Sequence, residues 1–260
     1  MLPHIIAAAA FDTDFHATIP PHAHTYALPR DWNREWDLRR YGFHGLSHAY
    51  ASRRAPQIAG AAGAARVVTC HLGAGASVTA VVDGRSVDTT MGFTPLEGLV
   101  MATRSGTVDP GLLLWLQRHR GVDLDRLDDT LQHDSGLAGL SGTSGDMREV
   151  LAAVDADDPD AALAFDVFVH ALRKAVAAMT ASAGGLDVLV FTGGIGEHSP
   201  RVRAATCAGV AHLGVALDVT ANEAATSDAD ISAEGSLVRT VVVTAAEDAE
   251  IARQVGSLLG

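Results

Sequence analysis

The sequence predicts an α/β protein in which one sheet carries two small-residue loops of different kinds. Three observations point there. Strand patterns from Arg66 to Thr90 run antiparallel around a glycine turn. A buried strand pattern, DVLVF, empties directly into TGGIGEHSP, and a long helical pattern from Asp158 to Met179 lies between the two. Strands that alternate with helices in this way place helices against the faces of a sheet.

Taken in order, the opening MLPHIIAAAA is mildly apolar but has no basic segment ahead of it and runs straight into FDTDFH. It reads as a strand entered midway and not as a signal peptide. From Arg66 the pattern is VVTCHL, GAGA, SVTAVV, an Asp-Gly turn and RSVDT, which is a meander of three strands. Asp109 with Pro110 and LLLWL announces a helix through its N-cap and N1 residues, and Asp158 with Pro159 repeats the device before a longer one that stops at Gly184 and Gly185. Ser199 and Pro200 start another helix behind TGGIGEH, TVVVT is a further buried strand, and a last helix runs from Ala245 to Leu259 with Ile251, Val255, Leu258 and Leu259 on one face. The stretches from Asp123 to Asp134 and from Leu151 to Ala162 read as polar connectors.

Composition narrows the function. With 260 residues, 48% hydrophobic and 19% charged, the chain can bury a large core. Its net charge of -12 repels polyanions, so neither nucleic acid nor an anionic membrane is an expected partner, and any phosphate must be held by local groups. No apolar run approaches the ~18 residues of a membrane span. Two cysteines, Cys70 and Cys207, without C-x-x-C spacing fit small core residues and a reducing cytoplasm.

Several segments carry chemistry. HLGAGAS, from His71 to Ser77, places small residues between two strands, where backbone N–H groups approach a phosphate closely; a bare glycine hairpin is the alternative. TGGIGEH opens a helix whose first amides favour an anion or a ribose, yet it has neither the Walker lysine nor Rossmann spacing. One hairpin loop and one strand-to-helix loop together suggest the actin-like ATPase arrangement, with nucleotide clasped in a cleft. Asp12 ends an apolar run. His44 and His48 stand four apart without the glutamate of a zinc HExxH motif. Arg104 sits between small residues, where its guanidinium reaches an oxyanion or, alternatively, a surface salt bridge.

Six segments, FDTDFH, RRYGFHGLSH, VTCHLGAGASV, DTTMGFTPLEGLVMATRSGTVDP, SGLAGLSGTSGDMREV and LVFTGGIGEHS, resemble in order the blocks of acetate kinases, over residues 8 to 253. The resemblance implies a ribonuclease H-like α/β fold of the actin, sugar kinase and chaperone ATPase type. Its second domain, residues 13–244, is nearly complete and binds nucleotide and a second copy of the chain. Residues 1–12 and 245–260 are then the truncated first domain's remnant strand and terminal helix. It implies reversible phosphoryl transfer from ATP to acetate with Mg2+, a cytoplasmic homodimer, and a propionate or butyrate kinase or an inactive nucleotide-binding fragment as alternatives. Residue by residue, Asp12 matches a catalytic aspartate, and His44 and Arg104 match transition-state donors. His71, Leu72, Gly73, Ala74 and Gly75 match the phosphate hairpin, and Asp146, Met147 and Arg148 a nucleotide segment. Gly194, Ile195, Gly196, Glu197 and His198 match the adenosine loop, and Glu247 a magnesium ligand. Four positions depart from the family pattern: Ala74, His198 and Ala246 replace asparagines, and Asp14 replaces a small residue. Family members also carry an Asn/Ser phosphate loop and a substrate-gripping arginine ahead of FDTxFH, without a counterpart here. The final helix is therefore expected to lose neighbours and to leave its apolar face uncovered or swapped.

Overall fold

The computed structural model describes residues 8–61 and 63–259. Most of the strand expected at the start lies outside them, and residues 8 to 11 have no regular secondary structure. A 3-10 turn, Asp14–Thr18, leads to two short helices, α1 (Pro21–His24) and α2 (Arg30–Glu35), and then to α3 (Gly45–Ile58). The meander follows as β1 (Arg66–Leu72), β2 (Ala76–Val82) and β3 (Arg85–Thr89), with the bounds its turn residues predict.

Five helices come next: α4 (Pro110–Arg120), α5 (Leu124–His133), α6 (Gly136–Ser141), α7 (Met147–Asp155) and α8 (Pro159–Ser182). Two expectations fail in this region. The segment from Asp123 to Asp134 is α5 and not a connector: Asp123 accepts a hydrogen bond from the Arg126 amide, and Leu127 is its one buried residue. Five charged or amide side chains, Asp125, Arg126, Asp128, Asp129 and Gln132, hid an amphipathic helix. The stretch from Leu151 to Ala162 likewise closes α7 and opens α8, where Asp158 caps the amides of Asp160 and Ala161.

The remaining elements are β4 (Val188–Thr192), α9 (Gly193–His198), α10 (Pro200–Gly209), α11 (Val219–Ala224), β5 (Ala229–Asp230), β6 (Arg239–Val242) and α12 (Glu247–Leu259). The sheet order is β3-β2-β1-β4-β6-β5. β1 pairs antiparallel with β2 but parallel with β4, and β4 is parallel to β6. This is the mixed sheet of the ribonuclease H-like α/β fold.

Strand alternation sorts the core onto two faces. Val68, Cys70, Leu72, Leu189 and Phe191 meet Phe168, Leu172 and Val176 of α8, while Val67, Val188, Val190 and Val241 meet Ala51 and Ala55 of α3. β4 is buried throughout because it is covered on both faces. The ends of β1 and β4 that meet α3 and α9 therefore sit on a rigid base.

Two arginines fasten the peripheral helices. Arg203 of α10 is wholly buried and, among the described residues, has no carboxylate partner; it donates to the carbonyls of Gly196 (2.9 Å) and Glu197 (2.6 Å), and to Asn222 Oδ1 (2.7 Å) and carbonyl (2.6 Å). Burial lowers its pKa to about 10, so it remains cationic near neutrality, facing the C-terminal carbonyls of α9. Arg203→Met is expected to cost about 3 kcal/mol or more, because four acceptors lose one donor group together, and the shift is read in the denaturation midpoint.

Arg53 of α3 pairs with Glu250 of α12, which also accepts from Arg253 (2.8 Å) and Gln254 (3.0 Å). These charged contacts dock α12 on α3, although Leu258 remains 73% exposed. Burial by itself would raise the Glu250 carboxyl; the donors from Arg253, Arg53 and Gln254 outweigh it and hold the group at about 2. A carboxyl held below its ordinary value stabilises the fold above that value and loses the contribution as pH falls through the folded one. Stability followed by denaturant titration is expected to decline between pH 4.5 and about 2, and to decline less steeply in Glu250→Gln.

Candidate active site

Asp12 reaches across to the first turn of α3. Its Oδ2 accepts from the His44 amide at 2.6 Å, its Oδ1 faces the Leu46 amide at 3.4 Å, and its backbone carbonyl accepts from Gly45 at 2.8 Å. A carboxylate suits these unsatisfied amides at a helix N-terminus. The fit demands glycine at 45, where a Cβ would lie 2.2 Å from the Asp12 carbonyl oxygen. His44 takes a left-handed conformation, φ 57°, to enter the helix. A side chain held there costs of order 1 kcal/mol, and the conformation turns its imidazole toward β2.

Three further histidines gather around it. His44 Nδ1 is 3.0 Å from Ser77 Oγ, and His48 Nε2 is 2.6 Å from the same oxygen. The His71 ring stacks on His44 with centroids 4.3 Å apart, its Nδ1 2.7 Å from Ser47 Oγ. His16, beside His48, donates from Nε2 to the Phe43 carbonyl. Burial lowers all four: His16 to about 4, His71 to about 3, His48 well below its ordinary value, and His44 with opposition from Asp12 and help from Arg104. They are neutral donors and acceptors at neutral pH. This arrangement answers the zinc question raised by the His44 and His48 spacing, because both His48 nitrogens are spent on hydroxyls.

Arg104 is carried by a loop whose backbone is pinned to α6 and to the hairpin: Leu137 donates to the Met101 carbonyl (2.9 Å), Ala138 to Ala102 (2.9 Å), and Ala102 to Ala74 (3.1 Å). Among the described residues its guanidinium has no carboxylate partner, only long contacts to the Pro95 carbonyl and the Met101 sulfur. The surface salt-bridge alternative therefore falls. A Cβ on Gly75 would meet His44 Nε2 at 3.1 Å and Arg104 Nη1 at 3.6 Å, so both side chains converge on this point of the hairpin.

Beside this point lies a cleft of about 620 Å³ lined by Gly73 and Ala74 of the hairpin, Asp146, Met147 and Arg148 at the start of α7, and Gly194, Ile195 and His198 of α9. Eight sequence-matched nucleotide residues thus share one cavity. The other five lie elsewhere. His71 and Gly75 stand on the inner side beside His44, Leu72 is buried in the core, Gly196 is buried against Phe191, and Glu197 Oε1 accepts from the amides of Gly193 and Ala245, both at 3.0 Å. Residues 194–198, expected as a loop, form the helical turn α9. Asp146 caps α7 by accepting from the Arg148 amide (2.9 Å), and the Arg148 guanidinium pulls its carboxyl to about 2.

Glu247 begins α12, just beyond the Ala245 amide that Glu197 holds. Burial and then the Asp12 charge raise its carboxyl, which puts these two carboxylates in one neighbourhood. Among the described residues no group of three His, Cys, Asp or Glu converges on a metal position. Two carboxylates completed by phosphate oxygens and water are a donor set that magnesium accepts. Sequence reasoning missed Arg203, Ser47, Thr69 and Ser77. Spacing alone places His48 one turn along from His44, but a hydroxyl on a strand gives no comparable sign.

The acetokinase family profile matches residues 1–253. The acetate kinase of Nostoc punctiforme is 49% identical over 260 residues, all of this chain and 64% of that protein. The crystal structure of Porphyromonas gingivalis acetate kinase superimposes with a TM-score of 0.92 and 40% identity, covering 96% of this chain and 63% of that one. A propionate kinase from Francisella tularensis gives 0.88 and 40%, with 94% and 62% covered. The chain therefore spans a little under two thirds of the length of these relatives. With the match running from residue 1 to 253 and the backbone following its relatives over nearly its whole described length, this chain belongs to the acetokinase family.

Proposed function

We propose that the chain binds ATP in the cleft between the 73–75 hairpin, α7 and α9, and transfers its terminal phosphoryl group reversibly to acetate, giving acetyl phosphate and ADP. The observation that carries this reading is that His44 Nε2 and Arg104 Nη1 converge on Gly75, 3.1 and 3.6 Å from where its Cβ would stand, one residue along the hairpin from Ala74, which lines that cleft. A carboxylate nucleophile is already ionised at neutral pH, so no general base is required. What the reaction needs is alignment and donors for the charge that spreads over the equatorial phosphoryl oxygens. Arg104 supplies a fixed positive charge and His44 a neutral donor. Asp12 holds the α3 terminus and, with Glu247, would hold magnesium. When bound, the ion offsets the charge of the triphosphate.

Two further parts of the reading rest on the surface. Leu112, Leu114 and Trp115 of α4 are between 43% and 51% exposed, and α4 buries no residue within the chain, which supports a homodimer that covers it. No described helix is long and apolar enough to cross a membrane, and both cysteines are buried and free, which supports a reducing cytoplasm. The likeness to a propionate kinase favours that substrate as a second reading, since one methylene is worth only about 1–3 kcal/mol in a pocket.

Hydroxylamine trapping of acetyl phosphate from the purified chain with ATP, magnesium and acetate tests the activity. Arg104→Ala is expected to lower kcat by about 10²- to 10³-fold. ATP binding with no trapped product under any carboxylate would overturn the transferase reading in favour of a nucleotide-binding protein. The cleft has its own test. Ala74→Asn and His198→Asn restore amides at positions lining it, and each is expected to tighten ATP in calorimetry by about 0.5–1.5 kcal/mol, roughly 2- to 10-fold.

A further inference from the structure

The His44 ring offers a donor to the open space only if its single proton sits on Nε2. Ser77 Oγ lies between two rings, 2.6 Å from His48 Nε2 and 3.0 Å from His44 Nδ1. A hydroxyl has one proton, so it donates to one ring and accepts from the other. The direction is set farther back, where His48 Nδ1 is 2.7 Å from Thr69 Oγ1. Among the described residues, the other acceptor within reach of the Thr69 hydroxyl is the Thr79 carbonyl, at 3.5 Å. With His48 as the donor, the Thr69 proton would be left only this long contact, at which a hydrogen bond is weak; with Thr69 as the donor, the proton is used in the 2.7 Å one.

We propose that Thr69, His48 and Ser77 form a one-way hydrogen-bonded chain that fixes His44 as the Nε2–H tautomer, making them positioning residues for phosphoryl transfer. The functional half of this inference rests on the kinase reading above. Thr69 donates to His48 Nδ1, which leaves the His48 proton on Nε2 to be donated to Ser77. Ser77 then donates to His44 Nδ1, and His44 carries its proton on Nε2, the atom nearest the space over Gly75. The opposite polarity would present a lone pair to phosphoryl oxygens beside a guanidinium that attracts them.

Three features keep the chain from slipping. Thr69, Ser77 and His48 are all wholly buried, so water does not compete for their protons. Burial also keeps His48 neutral, and a neutral ring passes polarity in one direction only. His71, stacked on His44 and held at Ser47, fixes the plane of the ring whose proton is being set. Hydrogen bonds in series within a low-dielectric interior strengthen one another.

The test reads the tautomer directly. The full chain is labelled with 15N in its histidine rings and examined near neutral pH by long-range 1H–15N correlation, with the His44 signals assigned from their loss in His44→Gln. The expected result is a pyrrole-like Nε2 and a pyridine-like Nδ1 for His44, moving toward a mixed pattern in Ser77→Ala and in Thr69→Val. The latter is near-isosteric, so its fold is expected to survive, and it acts two links away from the reporter ring. If the chain turns over, Ser77→Ala also lowers kcat by about 10- to 100-fold with KM for ATP little changed. A proton on His44 Nδ1 in the parent chain, or an unchanged His44 tautomer in both variants, overturns the proposal. Absence of turnover in the parent chain counts against the kinase reading instead, and the tautomer measurement still decides this one.

Discussion

The Asp12 carboxylate at the amino end of α3 is the contact from which the inner site is built. It supplies the charge that the first amides of α3 lack, and its short bond to the His44 amide holds that residue in a left-handed conformation which costs energy wherever a Cβ is present. The imidazole is thereby turned onto Ser77 at the start of β2, and the hairpin between β1 and β2 brings Gly75 beneath it. Without that cap, His44 would be free to relax into an ordinary helical approach. Asp12 thus works on geometry before it works on charge.

If it binds ATP as proposed, a protein of net charge -12 does so against its own field, with few charges, placed locally. Arg104 is held by backbone contacts and spends nothing on a carboxylate, so its charge is available to a ligand. Arg148 is different: its pairing with Asp146 gives the cleft wall little net charge. Buried histidines supply polar contacts without adding charge in a region where burying cations would be expensive. The positive charge is left to one arginine and, under the proposed function, to a magnesium ion.

Much of the fold was legible because its signals are local. Asp-Pro caps, the Asp-Gly turn and alternating valines fixed the meander, α4, α8 and β4 without any knowledge of contacts. α5 escaped because Leu127 is its single buried residue and composition speaks for the exposed side. At the site, motif residues with backbone roles were visible as small or glycine positions: Gly73, Ala74 and Gly194 line the cleft. Leu72 and Gly196 belong to the same strings but face the core, since a string of consecutive residues on a strand or helix alternates between the site and the interior. Ser77 and Thr69 were invisible for a related reason. Strand hydroxyls take their meaning only from the histidine packed across from them.

α12 shows how charge substitutes for apolar area at the end of the chain. Leu258 stays exposed, so little hydrophobic burial holds the helix. Glu250 is instead buried among Arg53, Arg253 and Gln254, and a buried carboxylate is tolerated only while its donors are in place. The other anchor is Glu197, whose carboxylate takes the amides of Gly193 and Ala245 and so ties the turn after β4 to the approach of α12. Glu247 is consequently located from two sides, by the strand-to-helix turn that also lines the 620 Å³ cleft and by α3, whose other end carries Asp12. The two carboxylates proposed to hold magnesium are therefore set by the same framework that shapes the cleft, and displacement of either anchor would disturb both.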